Sequence, residues 1–292
     1  MAGRAGPLSA AAILLCGIVA ATETAGGPPE VHDRRWLPPD SRLVQDALPP
    51  ERLTVAAGAH GLVELGRLAF RSPEILGGNA RLSGIACQTC HGNGGANADL
   101  FIPGLSDRPG RVDVAHRLWN PMADDGVDRP LEIPSLQGVA DNAPYGTAVR
   151  MGSLRDFTRR VIVVEFAGRE PRPDLLDALV EYQLALAAPG ADAVSETARD
   201  EGAADLPRYL AVLRRALEAE DAPLADLVSR MVRAALGRMA ARPAADALPY
   251  ADWARTVAAV ARQAEAGDFA PARDTLAGFS AAVAAAPAAN GG

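Results

Sequence analysis

Cys87-Gln88-Thr89-Cys90-His91 is the stretch on which the reading of this chain turns. Two intervening residues place both cysteine sulfurs on one helical turn, and a histidine follows directly. That is the C-x-x-C-H attachment motif of a c-type haem. The two thiols reach the two vinyl groups on one edge of a porphyrin, and His91 is then brought beneath the iron as an axial nitrogen ligand. Three other chemistries use paired cysteines. A thioredoxin-type dithiol expects a βαβ setting, and none can be read around it. A zinc site needs two further ligands, and no second C-x-x-C or H-x3-H occurs. A disulfide accounts for the cysteines but not for His91. The expected cofactor is one covalently bound haem c on Cys87, Cys90 and His91.

Working outward, apolar residues recur at helical spacing from Ala59 to Phe70, and Pro73 and Gly77-Gly78 end that helix. Residues 92–134 are rich in Gly, Pro, Asp and Asn and read as a long loop, which in a folded unit is expected to wrap something or do something. Ser153 is an N-cap with Asp156 three positions on, opening a helix that runs to about Phe166. Pro173 opens another, with Leu175, Leu176, Leu179, Val180 and Leu184 as its stripe. Residues 191–204 read as a linker. Four amphipathic helices follow at about 205–219, 223–241, 250–265 and 269–285, a small bundle with no chemical constellation of its own. The divisions expected are an irregular Pro/Gly-rich arm at 22–58, a haem domain at 59–190 and a C-terminal helical region at 205–286.

The 292 residues are 49% hydrophobic and 22% charged, enough to bury a core, and only 4% aromatic, which with abundant Ala favours helices. All 29 basic residues are Arg, and the net charge is −7. No basic cluster offers a surface for nucleic acid. Arg4, the apolar run Leu8–Ala21 and the small residues Val19 and Ala21 read as an export signal over 1–21 with cleavage before Thr22. The alternative, a membrane anchor, asks for roughly 20 apolar residues. The mature chain is expected to be periplasmic or secreted, without a membrane span, and to retain only two of its three cysteines.

The sequence around the motif resembles the haem domains of the bacterial cytochrome c peroxidase and MauG-like family. Leu65-Gly66-Arg67-Leu68-Ala69-Phe70 with Leu82-Ser83-Gly84-Ile85-Ala86-Cys87 is similar to that family's approach to its haem motif. Ile133-Pro134-Ser135-Leu136 with Ala143-Pro144-Tyr145 is similar to its Pro-Ser/Thr-Leu and Ala-Pro-Tyr stretch, and Leu175–Leu186 to its closing helix. The resemblance covers about residues 59–188. It implies an all-α fold, a class I cytochrome c-like haem domain with long loops, here followed by a small helical bundle. Family peroxidases carry two haems in tandem domains, whereas this chain has one C-x-x-C-H. After Tyr145 it reads Gly146-Thr147-Ala148, without the His and Asp often found there.

The sixth iron ligand decides the function. Met151 stands at the separation from His91 typical of small class I cytochromes, and a thioether there makes a closed electron-transfer site. Met122 is a second candidate, and an open position the third. His32, His60 and His116 read as surface or packing residues. Phe70 and Leu136 are expected to touch the porphyrin, Pro134 to approach His91 and Tyr145 to line the pocket. Arg150 or Arg129 suits a propionate, and Trp119 reads as core. The expected function is a periplasmic mono-haem cytochrome passing single electrons to or from a redox protein, a periplasmic dehydrogenase or an oxidase. The alternative is a peroxidase-like haem enzyme with an open distal iron site.

Overall fold

The computed structural model describes residues 36–43, 48–191, 195–197, 201–241 and 248–286; the segment read as an export signal, with Cys16, and His32 lie outside them. In chain order the elements are strand β1 (Glu51–Leu53), helices α1 (His60–Phe70), α2 (Gly78–Leu82) and α3 (Cys87–Cys90), strands β2 (Arg111–Val112) and β3 (Leu131–Glu132), and helices α4 (Leu154–Arg160) and α5 (Pro173–Ala185). Then come β4 (Ser195–Thr197), α6 (Leu206–Glu218), α7 (Ala222–Ala240), α8 (Tyr250–Glu265) and α9 (Phe269–Ala285). The described chain is mostly helical, with two short antiparallel ribbons, β1–β4 and β2–β3.

The pairing of α1 with α5 organises the first half. Gly66 makes it possible: a Cβ there would meet the Ala178 carbonyl oxygen at 1.9 Å. Beside it the rings of Phe70 and Tyr182 pack with centroids 5.0 Å apart. Phe70 is therefore fixed at the α1–α5 contact.

The arm is not wholly irregular. Arg42 and Phe101 exchange backbone hydrogen bonds of 2.7 and 2.9 Å. β1 pairs with β4, Glu51 opposite Thr197 and Leu53 opposite Ser195. The stretch read as a linker thus contributes a strand. Beyond it the helical bundle packs α6 and part of α7 against α1, and one continuous apolar core runs from Leu68 and Leu179 through Tyr209 and Leu213 to Val257.

A buried charge network crosses this contact. Glu51, fully buried, accepts from Arg67 Nε at 2.7 Å, Arg71 Nη2 at 3.0 Å and Tyr182 Oη at 2.7 Å. From the other side Asp205 meets Arg67 Nη1 at 2.8 Å. Glu201 accepts from Arg238 Nε at 2.8 Å and Nη2 at 2.9 Å, and from Tyr209 Oη at 2.7 Å. Three carboxylates and three guanidinium groups thus lie in one region, as buried charges require.

Candidate functional site

The 87–91 turn is held by its own polar residues before it meets the rest of the fold. The Ala86 backbone N–H donates to Thr89 Oγ1 at 3.0 Å, and the His91 N–H closes the turn on the Cys87 carbonyl at 2.9 Å. Asn93 takes a left-handed conformation with φ of +50°, which Asn tolerates better than most residues. Its amide is thereby fixed from several sides: Nδ2 donates to the Pro49 carbonyl at 2.9 Å, while Oδ1 accepts from Gln88 Nε2 at 2.9 Å and Arg71 Nη2 at 3.0 Å. Asn97 Nδ2 adds a bond to the Thr89 carbonyl at 2.8 Å. The turn is thus pinned to the arm and to α1.

Cys87, Cys90 and His91 face a cavity of about 700 Å³, within the span of roughly 300–1,000 Å³ usual for small-molecule and cofactor sites. Val112, Ile133, Leu136, Leu154, Val161 and Phe166 give it apolar walls. Ionisable side chains share the wall, among them Asp113, Glu132, Arg160 and Glu165. Arg129 and Arg150 stand on the wall, and Arg129 Nη2 also meets Asp125 at 2.7 Å.

His91 Nδ1 lies 3.0 Å from the Pro134 carbonyl oxygen. A carbonyl only accepts, so Nδ1 carries the proton and Nε2 keeps its lone pair. Burial pushes the imidazole pKa down to about 4, against the pull of the Pro134 bond, so the ring is neutral near pH 7. Burial also pushes both thiols up to about 12, Cys90 further disfavoured by Cys87 beside it. No disulfide joins Cys87 to Cys90. A reactive dithiol calls for a lowered thiol pKa, the opposite direction. Among the described residues no three His, Cys, Asp or Glu side chains converge into a metal cage.

The expected site residues divide into two groups. Pro134, Leu136, Tyr145 and Arg150 line the cavity together with Cys87, Cys90 and His91. Phe70, Met151 and Met122 are not on its wall. Met151 exchanges backbone hydrogen bonds of 2.7 and 2.8 Å with Tyr145, which sets the 145–151 turn. Met122 is 93% exposed. His116 Nδ1 accepts from the Leu118 N–H at 3.1 Å. Trp119 is core: its indole N–H donates to the Asp113 carbonyl at 3.0 Å, and its ring lies 5.6 Å from that of Phe166.

Sequence reasoning missed Arg160 and Glu165, both on the cavity wall. Glu165 closes the apolar run Val161-Ile162-Val163-Val164, which hides it in any pattern of hydrophobicity. No protein-family model, curated protein or solved structure matches the chain.

Proposed function

We propose that this protein is a mono-haem c-type cytochrome that passes single electrons to or from a redox partner. The observation that carries the proposal is the His91–Pro134 hydrogen bond. It fixes a neutral imidazole with Nε2 free, on the same cavity wall as two un-ionised thiols at the attachment spacing.

The donor set fits the group. Cys87 and Cys90 would hold the macrocycle through thioether links to its two vinyl groups, each thiol hydrogen going to the neighbouring vinyl carbon. Nε2 of His91 would be the nitrogen donor to the iron. The apolar wall residues exclude water, and Arg150 and Arg129 suit the carboxylates of a porphyrin. When bound, the haem supplies a one-electron Fe(III)/Fe(II) couple whose potential the protein sets through ligation, burial and nearby charge. The resemblance of residues 59–188 to the cytochrome c peroxidase and MauG-like haem domains supports the same cofactor. An export signal at 1–21 agrees with assembly outside the cytoplasm. Among the described residues no helix is long and apolar enough to cross a membrane.

One observation favours the second reading, a peroxidase-like haem enzyme: neither Met151 nor Met122 lines the cavity. The two readings separate in the ferric spectrum. A methionine-ligated haem shows a weak far-red band, whereas an open site shows high-spin features and binds cyanide readily. The shared premise is tested by expressing the chain with a c-type maturation system, denaturing it and extracting with acidic acetone. Haem that stays with the polypeptide supports the proposal, and haem that leaves with the solvent, or was never incorporated, ends it.

A further inference from the structure

The turn after α4 is wider than an α-helix. Residues Val161–Glu165 form a π turn, with the Phe166 N–H donating to the Val161 carbonyl at 3.0 Å. On an α-helix, residues five apart point about 140° away from each other. The π turn instead brings i and i+5 together, and here those are Arg160 and Glu165, with Arg160 Nε 3.8 Å from Glu165 Oε1. Both side chains line the cavity, and the Glu165 side chain is only 17% exposed. Arg160 Nε is buried and donates no hydrogen bond.

The fold supports this unusual turn from outside. Asn120 Nδ2 donates to the Val164 carbonyl at 2.6 Å. The Gly168 N–H donates to the Ile162 carbonyl at 2.7 Å, and the Gly77 N–H to the Phe166 carbonyl at 3.1 Å. Two distant segments and the turn's own continuation thus satisfy backbone groups around it. Single π turns of this kind occur often at functional sites.

We propose, resting on the haem reading above, that Arg160 and Glu165 form a proton-exchanging pair that couples electron transfer in this cavity to proton uptake. Glu165 takes one proton from solvent as the site accepts one electron from a reducing partner, and releases it when the electron leaves. The net charge of the cavity is then unchanged by the electron, which matters because an uncompensated charge held out of water is costly. Arg160 sets how readily the carboxylate accepts the proton.

The electrostatics agree with that division of labour. Burial raises the Glu165 pKa above its ordinary value, and the Arg160 guanidinium pulls it back down. Other ionisable groups share the wall. Asp113, Asp125, Arg129 and Glu132 come from the long loop, Tyr145 and Arg150 from the turn before α4, and His91 from the haem-binding turn. Arg160 is the charge that acts on Glu165. The segment packed against the π turn through Asn120 brings an uncharged amide to it.

The test is potentiometric titration of the full-length haem-loaded protein between pH 4 and 9, alongside Glu165→Gln and Arg160→Met. The wild type is expected to show a window in which the midpoint potential falls as pH rises. The limiting slope corresponds to a tenfold change in proton activity, about 59 mV per pH unit for a one-electron couple. Glu165→Gln flattens that window, and Arg160→Met moves it to higher pH. A flat wild-type profile, or the same slope in wild type and Glu165→Gln, overturns the inference. If Glu165→Gln fails to load haem, Arg160→Met decides: a shifted window supports the pair and an unshifted one overturns it. A wild type without covalent haem fails earlier, at acid-acetone extraction, and removes both readings together.

Discussion

The Nδ1 atom of His91 sits 3.0 Å from the carbonyl oxygen of Pro134, a residue 43 positions further along the chain. The contact spans the whole Gly- and Asn-rich loop, so the loop's far end orients the imidazole. The Leu136 N–H anchors that end by donating to the Gly94 carbonyl at 2.7 Å. The proton on Nδ1 thus determines which nitrogen is left to bind metal.

Replacing both cysteines separates covalent attachment from mere binding. The Cys87→Ala/Cys90→Ala double variant is expected to lose nearly all acid-acetone-resistant haem, while either single variant retains one thioether. His91→Ala is expected to keep the thioethers and to become high-spin in the ferric spectrum. Haem staining of denaturing gels and absorption spectra check both outcomes.

Glu51 is the most consequential carboxylate for stability, because it serves two guanidinium groups and a phenol out of water. Glu51→Ala leaves buried positive charge uncompensated and is expected to cost about 3–5 kcal/mol. Glu218→Ala, which breaks the exposed 2.8 Å pair with Arg214, is expected to cost no more than about 0.5 kcal/mol. Urea denaturation of the two variants gives the comparison.

Acid stability follows Glu201. Burial alone would raise its pKa, but the Arg238 guanidinium, with Arg71 and the Tyr209 hydroxyl, holds it down at about 2, against an ordinary 4.5. A carboxyl whose folded pKa is depressed contributes stability above its unfolded pKa and loses it as pH falls. The contribution is therefore complete above about pH 4.5 and is lost progressively toward pH 2. Glu201→Gln is expected to lower stability at pH 7 by an amount on the order of a few kcal/mol and to flatten the profile in that window, as followed by circular dichroism at a series of pH values.

Gly66→Ala probes the α1–α5 contact. The new Cβ would lie 1.9 Å from the Ala178 carbonyl oxygen and 2.8 Å from Tyr182 Cβ, so the helices are forced apart. The expected loss is about 1–3 kcal/mol or more, despite alanine's better helix propensity, and a lowered Tm measures it.

Helices were legible in the sequence because their apolar stripes are long and their ends are marked. Ser153 caps α4 as its spacing with Asp156 predicts, its Oγ accepting from the Asp156 N–H at 3.2 Å. Pro173 opens α5, and the four C-terminal helices fall within a residue or two of the ranges read from periodicity. The β1–β4 ribbon was not legible, since three residues carry no period. Nor was the burial of Glu51, whose partners lie 16, 20 and 131 positions away. In the site, Pro134, Leu136 and Tyr145 could be found because short motifs mark them, and Arg150 because a guanidinium suits a carboxylate. Met151 was chosen by its separation from His91, which does not specify side-chain direction. Backbone pairing with Tyr145 governs its position instead.

Arg67 in α1 and Arg71 just after it are clasped from both sides along the chain, by Glu51 from before them and Asp205 from long after. Synthesis delivers these partners at very different times. Arg71 also holds Asn93, two residues past His91, so the cysteine-bearing turn receives its final bracing only when the last third of the polypeptide arrives. The nascent chain therefore passes through a stage in which both thiols are made but the clasp is not, an interval in which a modifying enzyme meets the turn before it is fully braced.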